Sequence, residues 1–498
     1  MSQGNFWDSN VWSFLIILAV LFGSLLVANL LKKTIPFLKK SLIPSSVLGG
    51  LILLFISTIY YLITKNPFFE LPVFGNAVVG KLEVDGEVME IVQTGAGTLE
   101  ILTYHFLGLG FVAMALRDNK KPLDKKSTRE IFDSGCMTVA GYLIQAVFGL
   151  SITILFCLLV DPTIFKAAGI LLPFGYGQGT GQALNYGSIY EGDYNFVGGS
   201  NFGLTIAALG FLSASFGGVI YLNILKRKGK IVQVEEKDEK ALYLSDIQSD
   251  DEIPMNGSVD KFTIQMAAVI VVYIVSFLIM YGLGKLVPGL RSVLFGFNFL
   301  IGTLLAILLK AILKFLNKKG IVKKKYLNTF LMNRIGGTAF DLMIVAGIAV
   351  IRIDLIKQYW LVLLVLGVVG CLVTFFYVKF VCERLFKGYK YEEFFAMYGM
   401  LTGTASTGVI LLREIDPELK TPASNNLIFQ TLPAIVFGFP MMLLAAFCPK
   451  DDMSTYLTLA FCVLFFIGMN IILFRNLIFR KKKYLAELEN EGVMEENW

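Results

Sequence analysis

The sequence predicts an all-α polytopic membrane protein: two inverted repeats of five transmembrane helices, each repeat with a re-entrant loop, plus one extra C-terminal helix. Three observations predict this. Only 16% of the 498 residues are charged and 55% are hydrophobic, where a soluble domain carries about 25% charged residues. Apolar runs recur at the roughly 20-residue length that a bilayer crossing needs. Two segments rich in glycine and hydroxyl residues, 224 positions apart, interrupt those runs.

The apolar runs lie near 11–31, 42–64, 99–116, 131–160, 201–225, 262–287, 290–316, 327–351, 355–384, 424–448 and 453–479. The first lacks a basic start and a small-residue cleavage site, so it reads as a retained helix and not a signal peptide. The six cysteines fall in apolar segments without a CxxC pair, which points to neither a disulfide framework nor a zinc site. Lys32, Lys33, Lys39 and Lys40 mark the first loop; Arg117 to Arg129 mark the third; Lys226 to Lys230, Lys318 to Lys325 and Arg480 to Lys483 mark later ones. Lys/Arg excess marks cytoplasmic loops, so the N-terminus is expected outside and the C-terminus inside. The loop 65–98 is acidic. The stretch 226–261, with "VEEKDEK" and "SDIQSDDE", reads as a disordered cytoplasmic linker. Residues 480–498 read as a cytoplasmic tail.

Segments 163–190 and 391–415 break the alternation. Counting either as a full crossing would put a basic loop outside, so each is expected to enter and leave by one face. Irregular backbone at membrane depth is tolerated only where it is buried in protein or lines a wet cavity. The two segments resemble each other. Aligning "GYGQGTGQA" with "GMLTGTAST" superimposes Gly175 on Gly399, Gly179 on Gly403 and Thr180 on Thr404. The helices before and after each segment keep nearly the same offset. Each half, 11–225 and 262–448, then has five spans and one loop; because five is odd, the second half is inverted, and 453–479 lies outside the repeat. Inverted repeats with paired broken elements place a site near the midplane, open alternately to either side.

That site is expected to hold Gly177, Gln178, Gly179, Thr180, Gly181 and Gln182 from the first loop, with Thr402, Gly403, Thr404, Ala405, Ser406 and Thr407 from the second. Helix N-termini inside such loops offer unpaired N–H groups to a carboxylate. Hydroxyls and carbonyls are hard donors for a small cation. Sodium is preferred to a proton as the coupling ion because these donors dominate and titratable residues are few; Thr180, Thr404 and Asp341 are the sodium candidates. Asp341 lies inside a span, where a charge needs a partner or water. It reads as a sodium ligand, as a partner for a substrate ammonium, or as an ion pair with Arg334. Arg413 reads either as a carboxylate-binding residue or as a cytoplasmic topology charge. Glu100 and His105 sit near the outer part of the third span, where a lone histidine reads first as structural.

No enzyme signature appears. One histidine in the whole chain excludes HExxH chemistry and a three-histidine zinc site. There is no GxSxG elbow and no P-loop, and "GYGQGTG" opens no βαβ unit. The reading is a carrier and not an enzyme, with a small-molecule substrate, sodium and the bilayer as partners, and no cofactor or nucleic acid. A membrane enzyme is the main competing class, and a channel lined by loop carbonyls is another.

"LKKTIPFLKKSLIPSSVLGGLIL", "FLGLGFVAMALRDNKK", "GYGQGTGQA" and "KYEEFFAMYGMLTGTASTG" together resemble the bacterial sodium–glutamate symporter family, over about residues 11 to 448. The resemblance implies a multi-pass protein of the bacterial cell membrane. It also implies a homodimer and sodium-coupled symport of glutamate or a similar small anionic amino acid by elevator-type alternating access. The first two spans of each half would form the dimer scaffold, and the later three, with both loops, the moving part. Gln178 stands where the family has histidine, Ser406 where it has proline, Leu411 where it has asparagine and Asp341 where it has a small hydroxyl residue. A sodium- or proton-coupled carrier of another small carboxylate or amino acid is the alternative these replacements leave open.

Overall fold

Long apolar runs leave the backbone no partner in a bilayer but itself, so they must form helices. The computed structural model describes residues 6–7, 9–84, 87–117, 125–231, 252–253, 259–288, 291–296, 298–416 and 419–479. Among these, eleven helices are long and apolar enough to cross a membrane, and each coincides with an expected span. The chain is a multi-pass membrane protein. Most of the acidic linker and the tail 480–498 lie outside the described residues.

The chain divides into two compact units. The first comprises Met1–Ala28, Leu48–Pro122 and Lys237–Val350. It holds most of α1 (Ser9–Thr34) and α2 (Ser45–Thr64), with α3 (Gly95–Ala115), α7 (Lys261–Leu286), α8 (Asn298–Lys318) and α9 (Thr329–Ala349). Its core joins Val112 of α3, Val272 of α7, Ala306 of α8 and Met332 of α9. One small sheet is added to the helices. Within the acidic 65–98 loop, β1 (Asn76–Val84) pairs antiparallel with β2 (Glu87–Thr94), Asn76 opposite Thr94 and Val84 opposite Glu87. Valine and isoleucine suit a pleated surface. Thr94 then starts α3, its side chain accepting a hydrogen bond from Gly97 N at 3.3 Å.

The second unit comprises Asn29–Val47, Leu123–Glu236 and Ile351–Trp498. It holds α4 (Lys125–Leu159), α5 (Leu171–Tyr194), α6 (Gly199–Arg227) and α10 (Trp360–Leu385), followed by α11 (Lys390–Leu401), α12 (Ala405–Arg413), α13 (Pro422–Phe429), α14 (Thr431–Phe447), α15 (Asp452–Leu473) and α16 (Arg475–Phe479). The expected span 424–448 is thus two helices. Pro433 sits in the first turn of α14, where its missing N–H costs nothing. The extra helix is anchored in this unit: Tyr377 of α10 donates to Asn470 Oδ1 at 3.0 Å, and Arg475 donates to Asp133 of α4 at 2.6 Å.

Both halves divide in the same way. The third long helix of each, α3 and α9, belongs to the first unit with the first two. The sequence reading grouped it with the loops. Packing explains the difference: Gly110 of α3 lies against the Phe340 ring of α9, where an added Cβ would be 2.6 Å away, and Arg117 donates to Asn333 at 2.9 Å.

Candidate functional site

The 163–190 segment is more regular than its glycines imply. Residues Lys166–Ile170 form a 3-10 turn, and α5 is helical throughout except at Gly179, whose φ is 79° and ψ −171°. That conformation is essentially restricted to glycine. The neighbouring glycines meet a steric need and no conformational one: a Cβ at Gly175 would sit 2.6 Å from Ile206, and one at Gly177 2.2 Å from the Tyr142 ring. Helix propensity therefore yields to close packing. The 391–415 segment is broken more openly. α11 ends at Leu401, Thr402–Thr404 are non-helical, and α12 begins at Ala405.

The two breaks meet. An atom placed at the Cβ position of Gly179 would lie 3.2 Å from Thr404 Cγ2 and 3.7 Å from the Gly403 carbonyl oxygen. Phe211 of α6 borders both, 3.9 Å from the Cβ position of Gly179 and 3.0 Å from that of Gly403. Two helix starts, at Thr180 and Ala405, therefore lie beside two helix ends within one unit. In general the first N–H groups of a helix and its last carbonyls lack intrahelical partners. Thr404, at the N-cap position of α12, makes no side-chain cap.

Around this junction the polar side chains are arranged unevenly. Thr402 is buried and donates to the Tyr398 carbonyl at 2.6 Å. Thr404 and Thr407 hydroxyls are 3.5 Å apart. Thr180 and Thr407 are buried, Gln178 and Thr404 half-buried, and Ala405 and Ser406 exposed. Gln182, on the first turn after the Gly179 break, is 2% exposed, yet among the described residues neither its Nε2 nor its Oε1 has a hydrogen-bond partner. Leaving such a group unpaired costs about 1–3 kcal/mol. No residue from 177 to 182 or from 402 to 407 is charged, so the junction offers neutral donors and acceptors only.

Two side chains of α4, which the sequence reading did not single out, complete the surroundings. Tyr142 donates to the Gly177 carbonyl at 3.1 Å. Gln145 is buried and donates through Nε2 to Thr374 Oγ1 at 2.8 Å and to the Leu401 carbonyl at 2.9 Å, while its Oε1 has no partner among the described residues. The signal was present as a lone glutamine in the apolar run "VAGYLIQAV". Glu393 of α11 is a third such residue, fully buried and accepting from Ser134 Oγ at 2.6 Å and Asn426 Nδ2 at 3.0 Å. Two further expected site residues are exposed. Asp341 is exposed on α9 of the first unit, and the neighbouring Arg334 lies over the Phe330 ring at 5.1 Å. Arg413 is exposed at the last position of α12, two turns beyond the break.

Among the described residues, no group of three or more His, Cys, Asp or Glu side chains is placed to hold a metal ion. Compared with family models, curated proteins and solved structures, the chain matches none.

Proposed function

We propose that this chain is a secondary active carrier that couples inward sodium movement to uptake of a small anionic amino acid or similar carboxylate. The observation that carries the reading is the contact of two broken helices at Gly179 and Gly403–Thr404. A channel needs a continuous carbonyl-lined path. A carrier needs a compact site where helix starts hold an anion and helix ends with hydroxyls hold a cation. The junction supplies both sets of groups from two segments that align at an offset of 224 residues. The equal division of the two halves between the units supports an inverted repeat. Within the second unit, the ligating groups in this proposal are Thr180, Gln182, Thr402, Thr404 and Thr407 with adjoining backbone.

The reading is tested by uptake of labelled glutamate into proteoliposomes. Uptake should collapse when sodium is replaced by choline at constant pH. If a pH gradient alone sustains it, sodium coupling is wrong; if neither glutamate, aspartate nor an organic acid is taken up in sodium, the anionic substrate is wrong.

Gln182 gives a sharper test. Its amide has no hydrogen-bond partner among the described residues, so Gln182→Met is expected to leave the melting temperature unchanged or raised. If Gln182 serves the substrate, the same change should weaken apparent affinity several-fold, since one buried hydrogen bond is worth about 0.5–1.5 kcal/mol. Unchanged affinity with intact uptake would remove Gln182 from the site.

A further inference from the structure

We propose that a groove between α10 and the α15–α16 pair binds one anionic phospholipid, its acyl chain along the groove and its head group on Arg384. The groove is shallow and open along its length, with a volume of about 490 Å³. It is lined almost wholly by apolar side chains, among them Phe380, Ile467, Ile471, Phe474 and Ile478; Arg384 and Asn470 are the polar exceptions. Phe380, Ile467, Ile471 and Ile478 are 44–55% exposed in helices read as membrane spans or their direct continuation. The lining on α15 and α16 runs from Phe466 to Ile478. At 1.5 Å per residue this is about 18 Å, near the depth of one leaflet.

Charge decides what fills it. Asn470 is already satisfied, accepting from Tyr377 and donating to the Phe466 carbonyl. Arg384 stands one residue before the end of α10, its guanidinium 3.8 Å from the centroid of the Phe380 ring. The adjacent Glu383 pairs instead with Lys379, at 3.9 Å. Among the described residues, Arg384 makes no ion pair. An apolar trough that ends in an uncompensated, exposed guanidinium at a helix terminus matches a lipid with an anionic head group. Simple snorkelling would place the same side chain in water without a groove beneath it.

The test is native mass spectrometry of the purified full chain, titrated with phosphatidylglycerol and with phosphatidylcholine of equal chain length. Phosphatidylglycerol should be retained preferentially. Arg384→Gln should lower its retention about fivefold, the effect of one basic group near an anionic surface, and leave phosphatidylcholine unchanged. Ile471→Trp should fill the groove and abolish retention of both. Equal binding of the two lipids by the wild type, or an intact preference in Arg384→Gln, overturns the proposal. So does loss of a dimer on Ile471→Trp with lipid binding unaltered, which would make the groove a contact between copies. Arg384 is exposed, so its variant decides the matter even if Ile471→Trp fails to fold.

Discussion

Replacing Gly179 by alanine is expected to abolish uptake and to destabilise the second unit by about 1–3 kcal/mol, the cost of forcing a side chain into a backbone region reserved for glycine. Two effects add. At φ 79° and ψ −171° the alanine backbone is strained. Its methyl would also sit 3.2 Å from Thr404 Cγ2, tighter than an ordinary contact, so the Thr404 side chain would have to shift by a few tenths of an ångström. The same substitution at Gly192, which has nothing within 4 Å of its Cβ position and lies in regular helix, should be tolerated and should favour the helix. Thermal unfolding and uptake of both variants check the prediction. A Gly179→Ala protein with wild-type stability and uptake would mean that the break is not maintained.

The second large effect is expected in the first unit. Lys261, the first residue of α7, is fully buried; its Nζ lies 2.8 Å from Glu252 Oε2, whose side chain is 9% exposed. Asn328 Nδ2 donates to the same oxygen at 2.6 Å, while Asn328 Oδ1 accepts from Leu331 N and so caps α9. Gln265 closes the set by accepting from Asn328 N and donating to the Tyr326 carbonyl. Lys261→Met would leave the Glu252 carboxylate buried without its cation. Removing one partner of a buried pair costs about 3–5 kcal/mol, whereas replacing both by apolar groups is often neutral. Lys261→Met should therefore unfold at markedly lower denaturant than wild type, and the double variant Lys261→Met/Glu252→Leu should recover much of the loss. Equal stability of the single and double variants would mean that Glu252 is not held there.

Glu252 also marks where the sequence reading of the linker runs out. The stretch "SDIQSDDE" is acidic and solvated in character, and nothing local distinguishes its last glutamate from the rest. Yet Ile253 N donates to the Lys325 carbonyl at 3.0 Å, and Glu252 reaches α7 and the start of α9. A pairing between residues separated by a 72-residue stretch of chain has no imprint on either local composition. The same holds at the junction. Gly179, Gly403 and Thr404 were legible because a repeated glycine–threonine pair at a constant offset is a pattern. Tyr142 and Gln145 were not, because one polar residue in an apolar run does not say what it faces. The regular helix on either side of Gly179 was missed as well: propensity counts the cost of four glycines, and only the neighbouring helix shows why the space is needed.

By itself the sequence determined the membrane-spanning character, the eleven helices and the positions of the two interruptions. These follow from the length of apolar runs and from local backbone chemistry, which any one segment expresses alone. Only the tertiary structure decided which helices share a unit, that the interruptions touch, that Asp341 belongs to the other unit and that the acidic loop folds into a hairpin. These depend on which surfaces fit each other. In apolar helices that choice rests on small residues and buried hydrogen bonds, whose partners lie far away in the chain.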